Sequence, residues 1–207
     1  IFLLSLSRFD GRQLASQYRE LMALYPAQLV CAQLLEPVLD ELEQRPANHY
    51  GNQLEKQFLQ SWLHNQLTSR LTQEQEHNQG ARLVLANLSD TSPEPRQSLL
   101  CMLLSSAGYQ LVMLEGQVPA SELTLLHERC PLQAMVVISS QRMESTQLER
   151  ELPRLNAQTD CQRFAVGPII QMHANELSAS GIKLLSNSPA KSFELLHQQL
   201  TAPEALS

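Results

Sequence analysis

The chain changes its hydrophobic period near residue 80. Between residues 9 and 71, apolar residues recur at helical spacing without strand-like alternation. Beyond residue 80, short continuous apolar runs alternate with helical stretches. The polar segment 73–80, which ends in glycine, is typical of a linker. The pattern predicts two domains, a helical bundle at residues 1–75 and an α/β domain at residues 76–207.

Helix signals divide the first part into four predicted helices. Asp10 is a suitable N-cap, and the apolar stub before it is expected to form a short helix. Pro26 suits the first turn of another helix, and Pro46 marks a break before a long helix at about residues 49–72. The side chains predicted to face the core from that long helix are Leu54, Phe58, Trp62 and Leu63.

Five apolar runs in the second part predict parallel strands. Continuous apolar strands fit a sheet that is covered by helices on both faces. The sequence therefore predicts an α/β fold, with a small N-terminal helical bundle followed by a five-stranded, doubly wound parallel sheet of flavodoxin-like topology. The predicted strands are residues 83–88, 111–114, 134–138, 164–166 and 182–185, and the predicted helices are residues 95–107, 121–130, 144–156, 174–180 and 190–200.

Composition narrows the class of protein. A chain of 207 residues with 43% hydrophobic residues can bury a core, so disorder is not expected as its dominant state. A net charge of -6 gives no general basic footprint for nucleic acid. The apolar run at residues 1–6 is too short to span a membrane and lacks the features of a secretory signal. Since the sequence does not begin with Met, we expect a fragment of a longer protein.

The cysteines indicate the compartment. Cys31, Cys101, Cys130 and Cys161 lie far apart and mostly among apolar residues. This spacing fits buried, reduced thiols better than a disulfide framework, and it predicts a cytoplasmic protein. His127 and Cys130 have the spacing of half a metal site, but no second pair accompanies them, so no metal is expected.

The loop after the first strand is the natural place for a ligand, because ligands bind at the carboxyl edge of open parallel sheets. Its charged residues, Asp90, Glu94 and Arg96, would serve as an acid, a base or an anion clamp, or they would cap the next helix and stay solvated. A second set of candidates consists of the aromatic residues Trp62, Phe58 and Tyr50. They would either face a flat ligand between the two parts of the chain or pack in the core.

Sequence motifs for catalysis are missing. The chain has no Walker phosphate loop, no Gly-x-Gly-x-x-Gly after the first strand and no nucleophile elbow, and it has only seven glycines. The ends of the predicted strands carry mainly Ser, Gln, Gly and Pro, which do not form a convergent set of titratable groups. We therefore do not expect an enzyme.

Seven segments carry a resemblance to a known family. They are residues 9–12, 35–42, 54–63, 81–85, 103–109, 114–119 and 136–140. With the order of a helical bundle and then a five-stranded domain, they resemble the cobalamin-binding module of methionine synthase and of light-sensing regulators of the MerR family. The resemblance covers nearly the whole chain. It implies that the bundle and the sheet domain clasp a ligand.

The residues that bind cobalamin in that family are replaced here. The family's Asp-x-His-x-x-Gly loop falls on residues 91–96, so that Pro93 stands at the position of the cobalt-ligating histidine. The Glu-His pair of the family's bundle falls near Lys56 and Gln57, and the tryptophan before it falls near Leu42. Proline cannot ligate cobalt, so ligation through a histidine of this loop is not expected.

Small residues at two strand ends match the family. Ser139 or Ser140 follows the third strand and Gly167 follows the fourth, and in the family such residues line the pocket for the nucleotide tail of cobalamin. Small residues there also suit any tight strand-to-helix turn. The candidate cofactor-binding residues, by resemblance or by position, are Ser139, Ser140, Gly167, Pro93 and Tyr50.

The resemblance implies a ligand-sensing and oligomerisation domain of a MerR-type transcription regulator, with a changed ligand or none. It would form a homo-oligomer and contact DNA only through a part that precedes Ile1. One alternative is a base-on corrinoid photoreceptor or carrier, in which the lower base stays on cobalt and His49, Tyr50 and Leu54 shape the upper face. Another is a ligand-free dimerisation module with a leucine-rich helical interface.

Overall fold

The fold is taken from a computed structural model, which describes residues 1–46, 49–87, 94–114, 118–138 and 161–201. The helices of the first part are α1 (Phe2–Ser7), α2 (Gly11–Leu24), α3 (Ala27–Val30), α4 (Glu36–Gln44) and α5 (Asn52–Gln75). The later helices are α6 (Pro95–Ser106), α7 (Ala120–Arg129), α8 (Ile169–Ala179) and α9 (Pro189–Thr201). The strands are β1 (Arg82–Asn87), β2 (Gln110–Leu114), β3 (Ala134–Ile138), β4 (Gln162–Val166) and β5 (Lys183–Leu184).

The helix starts of the first part follow from local chemistry. The Asp10 carboxylate accepts a hydrogen bond of 3.0 Å from the Gln13 backbone N–H, which confirms the predicted N-cap of α2. The predicted short helix before it is α1. A π-helical turn (Cys31–Leu35) joins α3 to α4, and Pro37 is the second residue of α4. The ring of a proline does not fit against the carbonyl four residues earlier in an ordinary α-helix.

Helix α5 has the predicted length but lies three residues later in the chain, and its buried face differs from the prediction at one residue. Trp62 and Leu63 face the core as predicted, but Leu54 is 61% exposed and Leu59 is buried in its place. Leu54 lies five residues before Leu59, which places it about 140° away around the helix. The buried stripe instead follows helical spacing through Leu59, Trp62, Leu63, Leu67 and Leu71.

All strand pairs of the sheet are parallel, and the strand order is β2-β1-β3-β4-β5. This arrangement confirms the predicted five-stranded parallel sheet and the α/β class. The chain crosses from one side of β1 to the other between β2 and β3, so the switch point lies at the carboxyl ends of β1 and β3. The predicted helix at residues 144–156 lies outside the described residues.

Helix α6 lies between the bundle and the sheet. One side of it packs into the bundle core through Leu99, Met102 and Leu103. The other side packs against the sheet through Leu100 and Leu104. A helix that is apolar on every side is expected to be buried on every side. The two parts of the molecule therefore share α6.

The segment predicted as a linker is attached to the sheet domain. The Gln75 amide donates to the Ser105 hydroxyl at 3.0 Å and to the Tyr109 carbonyl at 2.9 Å, and its oxygen accepts from the Leu111 N–H at 2.8 Å. Gly80 donates to the Gly108 carbonyl, and a Cβ at position 80 would come within 2.5 Å of that oxygen. The division into domains at residues 75 and 76 stays a prediction.

The four cysteines are free thiols, and Cys31, Cys101 and Cys161 are buried, as the sequence predicts. Among the described helices, none combines the length and the apolar character that a membrane crossing requires.

Candidate functional site

The main cavity of interest is a central groove between α5 and the carboxyl edge of the sheet. It has a volume of about 270 Å³. The last residues of three strands, Asn87, Leu114 and Ile138, form its sheet wall. The groove thus lies at the switch point of the sheet, where ligands bind in folds of this kind.

One face of α5 forms the opposite wall. Its residues recur every three or four positions, which places them one above another on the helix. Leu67 and Leu71 form the buried side of this wall. The exposed members of the face are His64, Thr68 and Thr72. The first turns of α6 close the groove with Gln97, Ser98 and Cys101.

The groove is mostly apolar with a few polar groups. Leu85, Leu71 and Met113 contribute its apolar surface. Asn87 is buried at the end of β1, where its backbone carbonyl accepts a hydrogen bond of 3.3 Å from Val118 N–H. Within the part of the chain that the structure describes, no carboxylate and no ammonium group lines the groove, and His64 is its one imidazole. Such a surface suits binding of an uncharged or weakly polar molecule.

Two charged residues of the predicted ligand loop are described, and neither caps α6 with its side chain. Glu94 occupies the N-cap position without a capping hydrogen bond. Arg96 donates to Asp40 at 2.6 Å and to Glu43 at 3.0 Å, so it joins the start of α6 to α4. Its side chain is 16% exposed, which corrects the expectation of a solvated arginine. The third residue, Asp90, lies outside the described residues.

Two of the five predicted cofactor residues, Tyr50 and Gly167, are described, and neither of them lines the central groove. Tyr50 is 100% exposed before α5, and neither it nor the neighbouring His49 and Leu54 lines the groove. Gly167 follows β4 and has a φ of 91°, which favours glycine. It lies beside a small cavity of about 20 Å³. The remaining predicted residues, Pro93, Ser139 and Ser140, lie outside the described residues.

Trp62 packs in the core of the bundle. Trp62 makes edge contacts with Phe2 and Tyr18 at centroid distances of 5.8 Å, and Phe58 makes one with Phe9 at 5.4 Å. Of the two interpretations of Trp62, core packing is therefore confirmed. The side chain of His127 is outside the described residues, and no group of three metal-ligating side chains occurs among those described.

Histidine-ligated cobalamin does not fit these residues. Pro93 has no ligating atom in its side chain, and the cavity beside Gly167 has room for about one water molecule, which is far less than a nucleotide tail requires. The groove residues that sequence reasoning missed are His64, Thr68 and Thr72. Their recurrence along α5 was visible, but only the packing of α5 over the sheet edge shows which face is involved.

Comparisons with known proteins give likenesses to solved structures only. No protein-family model matches the chain, and no curated protein sequence matches it. Among solved structures, a cobalamin-binding protein from Desulfitobacterium hafniense DCB-2 is similar over 97% of each chain, with a TM-score of 0.49 and 12% sequence identity. Function resides in particular residues on a fold, so the ligand named for that protein is not carried over to this chain.

Proposed function

We propose that this chain is the ligand-sensing domain of a MerR-type transcription regulator and that its ligand is a small, mainly apolar molecule bound in the central groove. The groove itself is the observation that supports binding. It lies at the switch point of the sheet, and it combines apolar walls with polar groups such as Asn87 and Ser98. The regulator context rests on the sequence resemblance. Its test is whether the complete gene product carries a helix-turn-helix segment.

Rigid attachments on both sides favour a preformed groove. On one side, Gln75 ties the end of α5 to the turn before β2. On the other, Arg96 ties the start of α6 to α4. Because these contacts fix the two helices that wall the groove, ligand binding would cost little conformational entropy.

Filling the groove tests this proposal. Thr68 is an exposed α5 residue in the wall of the groove, so Thr68→Trp adds an indole to the cavity without disturbing the core. Ser69 is exposed beside it and does not line the groove, so Ser69→Trp is the matched control. With anilinonaphthalene sulfonate as a fluorescent apolar probe, Thr68→Trp is expected to abolish saturable binding and Ser69→Trp to preserve it. Equal binding by both variants would contradict the proposal.

A base-on corrinoid is the second candidate. In that form the lower base stays on cobalt, so neither a histidine at position 93 nor a deep cavity for the nucleotide tail is needed, and the cavity of about 20 Å³ beside Gly167 is no obstacle. An absorbance titration with adenosylcobalamin, methylcobalamin and hydroxocobalamin in the dark tests it. Spectral saturation that Thr68→Trp abolishes would support a corrinoid in the groove, and an unchanged spectrum would exclude it. Light scattering on the same samples would show whether binding changes the mass.

A further inference from the structure

A second cavity lies beside the central groove, between α4, α5 and the start of α6. Its volume is about 250 Å³, and we name it the charged chamber. Its floor is formed by Leu39, Leu42 and Leu59, which are 6%, 1% and 1% exposed. An apolar floor of this kind favours a ligand with an apolar side chain. The volume limits that ligand to a small molecule.

Among the described residues, four charged side chains line the charged chamber, and two of them form an ion pair. Arg96 is bound to Glu43, and its other partner is Asp40. Nη2 of Arg96 contacts both carboxylates, so their negative charges already offset the positive charge of the guanidinium. Of the charged side chains that the structure describes in the chamber, the other two lack such a partner.

Lys56 and Glu94 are these remaining groups, and they carry opposite charges. Neither forms a hydrogen bond or an ion pair through its side chain with any residue that the structure describes. Both are partly buried. Burial raises the pKa of Glu94, the charge of Glu43 raises it further, and Arg96 opposes the shift. A ligand ammonium beside Glu94 would relieve this unfavourable environment.

We infer that the charged chamber binds a small α-amino acid with an apolar side chain. Lys56 pairs with the carboxylate, Glu94 pairs with the ammonium, and the leucine floor holds the side chain. Gln60 lines the same chamber and offers an amide for a further hydrogen bond. A simple anion would leave Glu94 unpaired, and a simple cation would leave Lys56 unpaired. A zwitterion complements both charges.

The test compares L-leucine with its two halves, 4-methylpentanoate and 3-methylbutylamine, by isothermal titration calorimetry on the whole chain. Leucine is expected to saturate, and each half is expected to bind about 10- to 100-fold more weakly, because each loses one charged hydrogen-bonding group. Lys56→Met should weaken the binding of leucine by a similar factor and leave the binding of 3-methylbutylamine unchanged. Glu94→Gln should weaken the binding of leucine and leave the binding of 4-methylpentanoate unchanged.

Matched controls separate these effects from misfolding. Lys191→Met and Glu128→Gln change exposed residues on α9 and α7 and should leave leucine binding unchanged. Thr68→Trp should also leave it unchanged, which separates the charged chamber from the proposed function of the central groove. The inference is overturned if L-leucine, L-valine and L-methionine show no saturation up to about 10 mM. It is also overturned if 3-methylbutylamine binds as tightly as leucine, or if Lys56→Met and Glu94→Gln both bind leucine with unchanged affinity.

Discussion

Glu36 connects the bundle to the sheet domain through one buried side chain. Its Oε1 atom accepts a hydrogen bond of 2.7 Å from the backbone N–H of Ala190, in the first turn of α9. A carboxylate at a helix N-terminus satisfies an N–H that lacks a partner within the helix and interacts favourably with the helix dipole. Cys31 lies 3.6 Å from the same oxygen. The residue that follows the π-helical turn, Glu36, thus holds the two parts together.

Removing this carboxylate is expected to destabilise the whole protein. Glu36→Ala leaves the Ala190 N–H buried without an acceptor and should lower the free energy of unfolding by about 2 kcal/mol. Glu36→Gln keeps an acceptor oxygen and should recover part of that loss. Glu41→Ala, which removes an exposed partner of Arg45, is the control and should cost about 0.5 kcal/mol or less. Urea denaturation measures all three, and an equal loss in Glu36→Ala and Glu41→Ala would contradict the expectation.

Thiol reactivity should differ among the cysteines according to burial. Burial raises the pKa of Cys161 to about 11, so at pH 8 only about one thousandth of this thiol is thiolate. Burial and the nearby Glu36 carboxylate also raise the pKa of Cys31. Cys130 is partly exposed and contacts the Arg82 guanidinium at 3.0 Å. We expect iodoacetamide at pH 8 to label Cys130 first, as followed by peptide mass spectrometry. Labelling of Cys31 at the same rate in the folded protein would contradict this order.

At the scale of elements, short-range patterns were predictable from the sequence and long-range contacts were not. The strand positions and the Asp10 cap follow from local composition, and the structure confirms them. Leu54 was wrongly assigned to the core, because the sequence of α5 alone does not show which face of the helix packs against the rest of the bundle. Arg96 was expected in solvent because its partners, Asp40 and Glu43, lie more than 50 residues earlier in the chain. The charged chamber depends on the same long-range packing.

Gln75 is expected to hold α5 against the sheet. Its side chain makes hydrogen bonds to Ser105, Tyr109 and Leu111, and Gln75→Ala removes all of them. The predicted cost is about 2 kcal/mol, together with faster hydrogen exchange at the Leu111 amide, which loses its acceptor. The exposed Gln73 lies two residues earlier on α5, so Gln73→Ala is the control. Unchanged exchange at Leu111 in Gln75→Ala would show that the segment holds its position without this side chain.

At the scale of the whole molecule, the two predicted domains are joined by a common core. Leu99 and Met102 of α6 belong to the bundle core, and Ala190 of α9 joins them there. The Tyr18 hydroxyl donates to the Met102 sulfur at 3.4 Å. Separating the chain after residue 75 would expose these apolar side chains to water, at a cost of about 25 cal/mol for each Å². The parts are therefore expected to unfold together.

This expectation can be measured because the chain has one tryptophan, Trp62, which lies in the bundle core. In urea, Trp62 fluorescence reports the unfolding of the bundle, and hydrogen exchange at β1 and β3 reports the unfolding of the sheet. If the core is shared, both measurements must give the same free energy of unfolding. Met102→Ala should lower both values by about the same 2 to 3 kcal/mol, since Met102 is fully buried where the bundle meets α6. Val137 lies on the far face of the sheet, so Val137→Ala changes the sheet without touching the bundle. If the core is shared, this substitution must also lower the free energy of unfolding measured by Trp62 fluorescence. Two separate transitions, or a fragment of residues 76–207 that keeps native exchange protection, would show that the sheet domain folds without the bundle.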